Sequence, residues 1–95
     1  MELFSPIQSD RKNFSVRVVE HIKDLILKGE LKEGDKLPPE RELAQIMNVS
    51  RPTIREAYKI LSSLGFLNIK HGQGVFVANH RERIKNFTST FFLES

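Results

Sequence analysis

The chain has no cysteine among its 95 residues, which excludes a disulfide framework and a thiolate metal site and favours an intracellular setting over a secreted one. It has no run of about 18 apolar residues able to span a bilayer, and its N-terminus lacks the basic-then-apolar pattern of a signal peptide. A soluble, cytoplasmic protein with no membrane partner is expected. The length allows one small domain with a modest core and leaves no room for a second. The three histidines, His21, His71 and His80, are dispersed. None has a carboxylate or thiol at ligand spacing, so no metal centre or catalytic triad is supported, and neither an enzyme nor a cofactor in this chain is expected.

What is present is an uneven charge. The net charge is only +3, yet residues 1–40 hold seven basic and eight acidic side chains, whereas residues 41–80 hold five basic and two acidic. The positive excess falls on the second half, as it does on a surface that faces phosphates, although a solvated basic face has the same composition.

That half begins with the stretch around which the chain is organised, Leu37 to Leu64. Leu43, Ala44, Ile46 and Met47 recur at helical spacing and stop at Asn48; Ile54, Ala57, Leu61 and Leu64 form a second stripe after Ser50. Ala44 falls where two crossing helices need a small side chain. Asn48 suits the left-handed exit from the first helix, Ser50 suits an N-cap, and Pro52 falls in the first turn, where its missing N–H costs nothing. Together they spell a helix-turn-helix rather than an ordinary helical hairpin.

Upstream, residues 1–13 lack a sustained period and read as an N-terminal arm. Val16, Val19, Ile22 and Ile26, with Val18 and Leu25 beside them, predict a core-facing helix over 14–28 that stops at Gly29. Gly34-Asp35 marks a turn before a short extended piece at Lys36 and Leu37, which Pro38 and Pro39 end before a helix opens near Glu40. Downstream, Gly65 stops the third helix. Residues 66–70 and 75–78 are β-prone runs around His71-Gly72-Gln73-Gly74, a hairpin with a glycine-rich tip. The fold class is therefore mainly α with a small β-hairpin, a winged helix-turn-helix over residues 14–78. Residues 79–95 carry Ile84, Phe87, Phe91 and Phe92. They read as a linker and the possible start of a further domain, with a helix folded back on the same domain as the alternative.

The string from Gly29 to Ala44, Gly-Glu-Leu-Lys-Glu-Gly-Asp-Lys-Leu-Pro-Pro-Glu-Arg-Glu-Leu-Ala, continues into Val-Ser-Arg-Pro-Thr-Ile-Arg-Glu-Ala and Gly-Gln-Gly-Val-Phe-Val. It resembles the N-terminal DNA-binding domain of GntR-type bacterial transcription regulators, and Arg55-Glu56-Ala57 is closer to the FadR-like than to the HutC-like branch. The resemblance implies sequence-specific binding of double-stranded DNA by a metabolite-responsive regulator, a repressor, whose homodimer reads a palindromic operator. It also implies that the small-molecule effector binds a C-terminal domain absent here. Glu33, Pro39 and Asn48 stand where the family commonly has Pro, Ser and Gly.

A recognition helix in the major groove needs donors on its exposed N-terminal face. Ser50, Arg51, Thr53 and Arg55 supply them. Arg51 and Arg55, four residues apart, point the same way, and the guanidinium fork fits guanine O6 and N7. Glu42 or Glu56 could instead pair with these arginines on a solvated face. By resemblance Arg41 is a further DNA contact. In the wing, Lys70 and His71 offer a charge and a donor while Gly72, Gln73 and Gly74 bring the backbone near a phosphate or the minor groove. The tip lacks the Gly-Lys-Ser/Thr ending of a nucleotide-binding loop and opens no helix. The competing reading is a winged helix used as a protein-interaction module, which requires an apolar patch in place of the arginine face.

Overall fold

A computed structural model describes residues 9–79, with side chains described from Phe14 onward. The expectations for residues 1–8 and for the tail with Ile84, Phe87, Phe91 and Phe92 lie outside the described residues. Three helices come first, α1 (Ser9–Leu27), α2 (Glu40–Met47) and α3 (Arg51–Ser63). The strands β1 (Leu67–Lys70) and β2 (Gly74–Val77) follow.

Each helix stops by the same device. The N–H two residues past the last turn reaches back five residues to a carbonyl: Glu30 to Leu25, Val49 to Ala44 and Phe66 to Leu61, at 2.9 to 3.0 Å. The residue between adopts the left-handed conformation, at φ 81° for Gly29, 58° for Asn48 and 91° for Gly65. This is the Schellman arrangement, which satisfies carbonyls that the helix end would orphan. Asn48 is the only non-glycine with positive φ among the described residues, and Asn bears that conformation better than most side chains. At the other end of the turn Ser50 caps α3, its Oγ accepting the Thr53 N–H at 3.3 Å, and Pro52 sits in the first helical turn as its missing donor permits.

The helical stripes close on one core, in which Val18, Val19 and Ile22 of α1 meet Ala44 of α2 and Ile54, Ala57, Tyr58 and Leu61 of α3, with Leu37, Leu67 and Val77 completing it. Four details depart from the sequence reading. Helix α1 starts at Ser9, inside the segment expected to be an arm, because a helix runs on through charged residues past the apolar face that identifies it. Val16 is half exposed, and the buried face of α1 is instead Ser15, Val18, Val19 and Ile22. Ile46 lies on the outer side of α2, and Leu64, the C-cap of α3, has turned out to solvent. Tyr58 takes the inward position, its hydroxyl donating to the Pro38 carbonyl at 2.6 Å. Burial, with Glu40 and Glu42 adding to it, pushes the Tyr58 hydroxyl well above the ordinary range and keeps it a donor.

β1 and β2 pair antiparallel, Leu67 with Val77, Asn68 with Phe76, Ile69 with Val75 and Lys70 with Gly74. The expected extended piece at Lys36 and Leu37 runs along the free edge of β2. Lys36 bridges Phe76, Leu37 N–H donates to Val75 O at 2.7 Å and Val77 N–H donates to Asp35 O at 2.8 Å. The turn before α2 thereby fixes the hairpin against the helices.

Ala44 is buried on the face where α2 packs on α3, so overpacking is costly there. Ala44→Leu is expected to lower unfolding stability by roughly 1 to 3 kcal/mol, whereas Ile46→Ala, on the outer side of the same helix, should stay within about 0.5 kcal/mol. Urea unfolding of the two variants checks the contrast.

Candidate nucleic-acid interface

The N-terminal turns of α2 and α3 meet at one carboxylate. Arg55 grips Glu40 with two hydrogen bonds, Nη2 to Oε1 at 2.6 Å and Nε to Oε2 at 3.2 Å, and Arg51 Nη2 approaches the same Oε1 at 3.5 Å. This fork geometry is the strong, directional form of an arginine–carboxylate contact. The hydrogen bond from Arg55 holds the Glu40 carboxyl below the ordinary carboxylate range, against the opposing effect of burial. Both arginines remain exposed. They therefore stand on one face of α3, as their spacing predicts, but their acidic partner is neither Glu42 nor Glu56. Glu56 accepts from the buried Ser15 hydroxyl at 3.0 Å, on the side facing α1.

The remaining expected contacts divide. Arg41, the residue after Glu40, is exposed in the first turn of α2 and makes no ion pair among the described residues. Ser50 is exposed at the head of α3. Thr53 departs from the expectation: it is 1 % exposed, and its hydroxyl lies 2.8 Å from Ser50 Oγ. Two residues after Arg51, it lies near the far side of a helix that turns 3.6 residues per revolution. Its role is to lock the cap, and it leaves the exposed donor set.

Lys70, His71, Gly72 and Gln73 are exposed and Gly74 is half-buried, all at the wing. Gln73 N–H closes the turn on Lys70 O at 2.9 Å, and Gly72 holds φ 77° at the position where a type II turn requires positive φ. A β-carbon at Gly72 would meet nothing within 4 Å, so the tip backbone is open to approach. A cleft of about 210 Å³, lined by Lys36, Pro39, Glu40, Tyr58, Gln73 and Gly74 among others, separates the wing from the start of α2. The wing and the arginine face therefore border one another. Among the described residues no group of three His, Cys, Asp or Glu side chains could hold a metal ion, and no helix is long and apolar enough to cross a membrane.

Comparison with known proteins finds that the description "Bacterial regulatory proteins, gntR family" matches residues 14–77. The chain belongs to the GntR family. The HTH-type transcriptional regulator YcbG of Bacillus subtilis is 43% identical over 67 residues, 70% of this chain and 29% of YcbG. The transcriptional repressor NanR of Klebsiella aerogenes is 43% identical over 63 residues, 66% of this chain and 24% of NanR. Among solved structures, the AraR DNA-binding domain in complex with operator ORR3 is similar, with a TM-score of 0.66 and 42% identity over 68% of this chain and 78% of that one. The GntR chain thus spans less than a third of either curated relative. Membership places it among DNA-binding helix-turn-helix transcription regulators, and the winged fold inferred from the sequence is the fold found.

Sequence reasoning missed Glu40. It lies fifteen residues from Arg55, too far for helical spacing to connect them, and only the crossing of α2 on α3 brings them together. Because the folded-state carboxyl is depressed, its stabilising contribution is full above the ordinary value of 4.5 and is lost as pH falls through the lowered value. The stability difference between wild type and Glu40→Gln should be constant from neutral pH down to that ordinary value and shrink below it. Thermal melts of both proteins across the acid range check this.

Proposed function

We propose that this chain is the operator-reading head of a bacterial transcription regulator of the FadR-like branch, a repressor that binds a palindromic operator as a homodimer and answers to a small-molecule effector. The single observation that carries the reading is the exposed Arg51–Arg55 pair at the head of α3, pre-set by Glu40 and flanked by the wing. In this reading α3 enters the major groove and the two guanidinium groups meet guanine edges. Ser50 and Arg41 bind phosphates beside them. Lys70, His71, Gly72, Gln73 and Gly74 carry the wing to the adjacent minor groove or its phosphates. The AraR domain bound to its operator supports the DNA-facing role, and NanR, called a repressor, supports the direction of regulation. The effector-binding and dimerising functions are assigned to a C-terminal domain outside these 95 residues, in keeping with the much greater length of the curated relatives. The regulator would act in the cytoplasm, where its operator is. The protein-interaction alternative is disfavoured because arginines, not an apolar patch, occupy the exposed head of α3.

A titration against duplex DNA at two salt concentrations tests the reading. The isolated chain should bind a half-site weakly and more weakly still as salt rises, because one module neutralises few phosphates; binding that ignores salt, or none to any duplex, would contradict it. Arg51→Ala or Arg55→Ala should lower affinity for the preferred site roughly five- to a hundredfold and relax base choice, while Lys70→Ala weakens all sequences alike. Equal loss of specific and non-specific binding in the arginine variants would reassign them to phosphates.

A further inference from the structure

Lys36 lies outside both the arginine face and the hairpin tip in sequence, yet the fold places it beside the wing. Its bridge to Phe76 puts it directly across from that residue on the sheet, and cross-strand neighbours share a face. Phe76 in turn is opposite Asn68, and Gly74, two residues before Phe76 on β2, is opposite Lys70. Lys36, Phe76, Gly74 and Lys70 therefore occupy the same face, the one turned away from the core residues Leu37, Leu67 and Val77.

The side chains bear this out. A β-carbon at Gly74 would lie 2.7 Å from Lys36 Cε and 3.6 Å from its Nζ, so the lysine stem occupies the space that glycine leaves open. Lys70 Nζ lies 5.1 Å from the centre of the Phe76 ring. The Lys36 stem thus lies over Gly74, whose register partner across the hairpin is Lys70, the lysine that extends over the Phe76 ring. Lys23 and Lys28, in contrast, pair with carboxylates of α1, and among the described residues Lys36 makes no ion pair. Glu40, the carboxylate lining the same cleft as Lys36, is taken by Arg55 and Arg51. Like charges held on one small surface disfavour the free state slightly and favour an anion that comes between them.

We propose that Lys36 is a further DNA contact, seating a backbone phosphate together with Lys70 across Gly74 on the outer face of the wing. This rests on the reading of the chain as an operator-binding module. The lysine is a point charge on a long stem, suited to phosphate rather than to a base edge. Its contribution is therefore independent of sequence, and glycine at position 74 serves the stem of Lys36 as well as the φ of 133°.

The test is the dependence of affinity on salt for wild type, Lys36→Met and Lys36→Arg, each with a preferred and an unrelated duplex. Lys36→Met keeps the stem over Gly74 and removes the charge. It should reduce the slope of log affinity against log salt by about 0.9, the value of one phosphate contact, equally for both duplexes, with an unchanged melting temperature, and Lys36→Arg should keep the wild-type slope. An unchanged slope in Lys36→Met, with or without a lowered melting temperature, would assign Lys36 to the fold alone and overturn the proposal while wild-type binding stands. Failure of wild type to bind any duplex would overturn the operator reading and this contact with it.

Discussion

The packed crossing of α2 on α3, with Ala44 between them, sets where the helical side chains of the interface stand. A methyl group at that position lets the helices approach. The left-handed Asn48 and the Ser50 cap then fix how many residues are spent between them. Because that spacing is fixed, Glu40 at the head of one helix comes within hydrogen-bond distance of Arg55 in the second turn of the other. The geometry of the reading face is thus a consequence of core packing and turn chemistry, with electrostatics acting on groups that packing has already placed.

The interface divides its charges between two tasks. Arg51 and Arg55 share a carboxylate, which orders two long side chains before DNA arrives and reduces the net charge they present. On the proposed reading such pre-ordering favours discrimination over raw attraction, since the Arg55 guanidinium exchanges one bidentate acceptor for another of matching shape. Arg41 and Lys36 make no ion pair among the described residues, and Lys70 rests on the Phe76 ring. These are the groups suited to non-specific attraction by phosphates, which sets affinity and its sensitivity to salt. On the proposed reading, specific and non-specific binding are carried by different side chains on adjoining surfaces.

Much of this was legible in the residues alone. The αL exit at Asn48, the Ser50 cap, the Pro52 position and the hairpin around Gly72 each rest on local backbone chemistry, which a linear reading captures. Faces were read less well. Val16, Ile46 and Leu64 are apolar and near the right spacing, but each lies at the margin of its stripe or at a helix end, where a rotation of one residue turns a side chain outward. Thr53 looked like a donor because of its neighbours in sequence, although its angular position on α3 carries it into the core. Glu40 and Lys36 were invisible for a different reason: their partners, Arg55 and Gly74, are distant in sequence and meet them only through the crossing of α2 on α3 and the pairing of residues 35–37 with β2.

Amide chemical shifts of the chain, followed while a duplex selected from a random pool is added, test the central claim most directly. The account predicts the largest changes at Arg41, at Ser50, Arg51 and Arg55, and at the wing from Lys70 to Gly74, with Lys36 moving among them and the outward side of α1 around His21 left unchanged. Changes concentrated on α1, with Arg51, Arg55 and Gly72 unmoved, would contradict it.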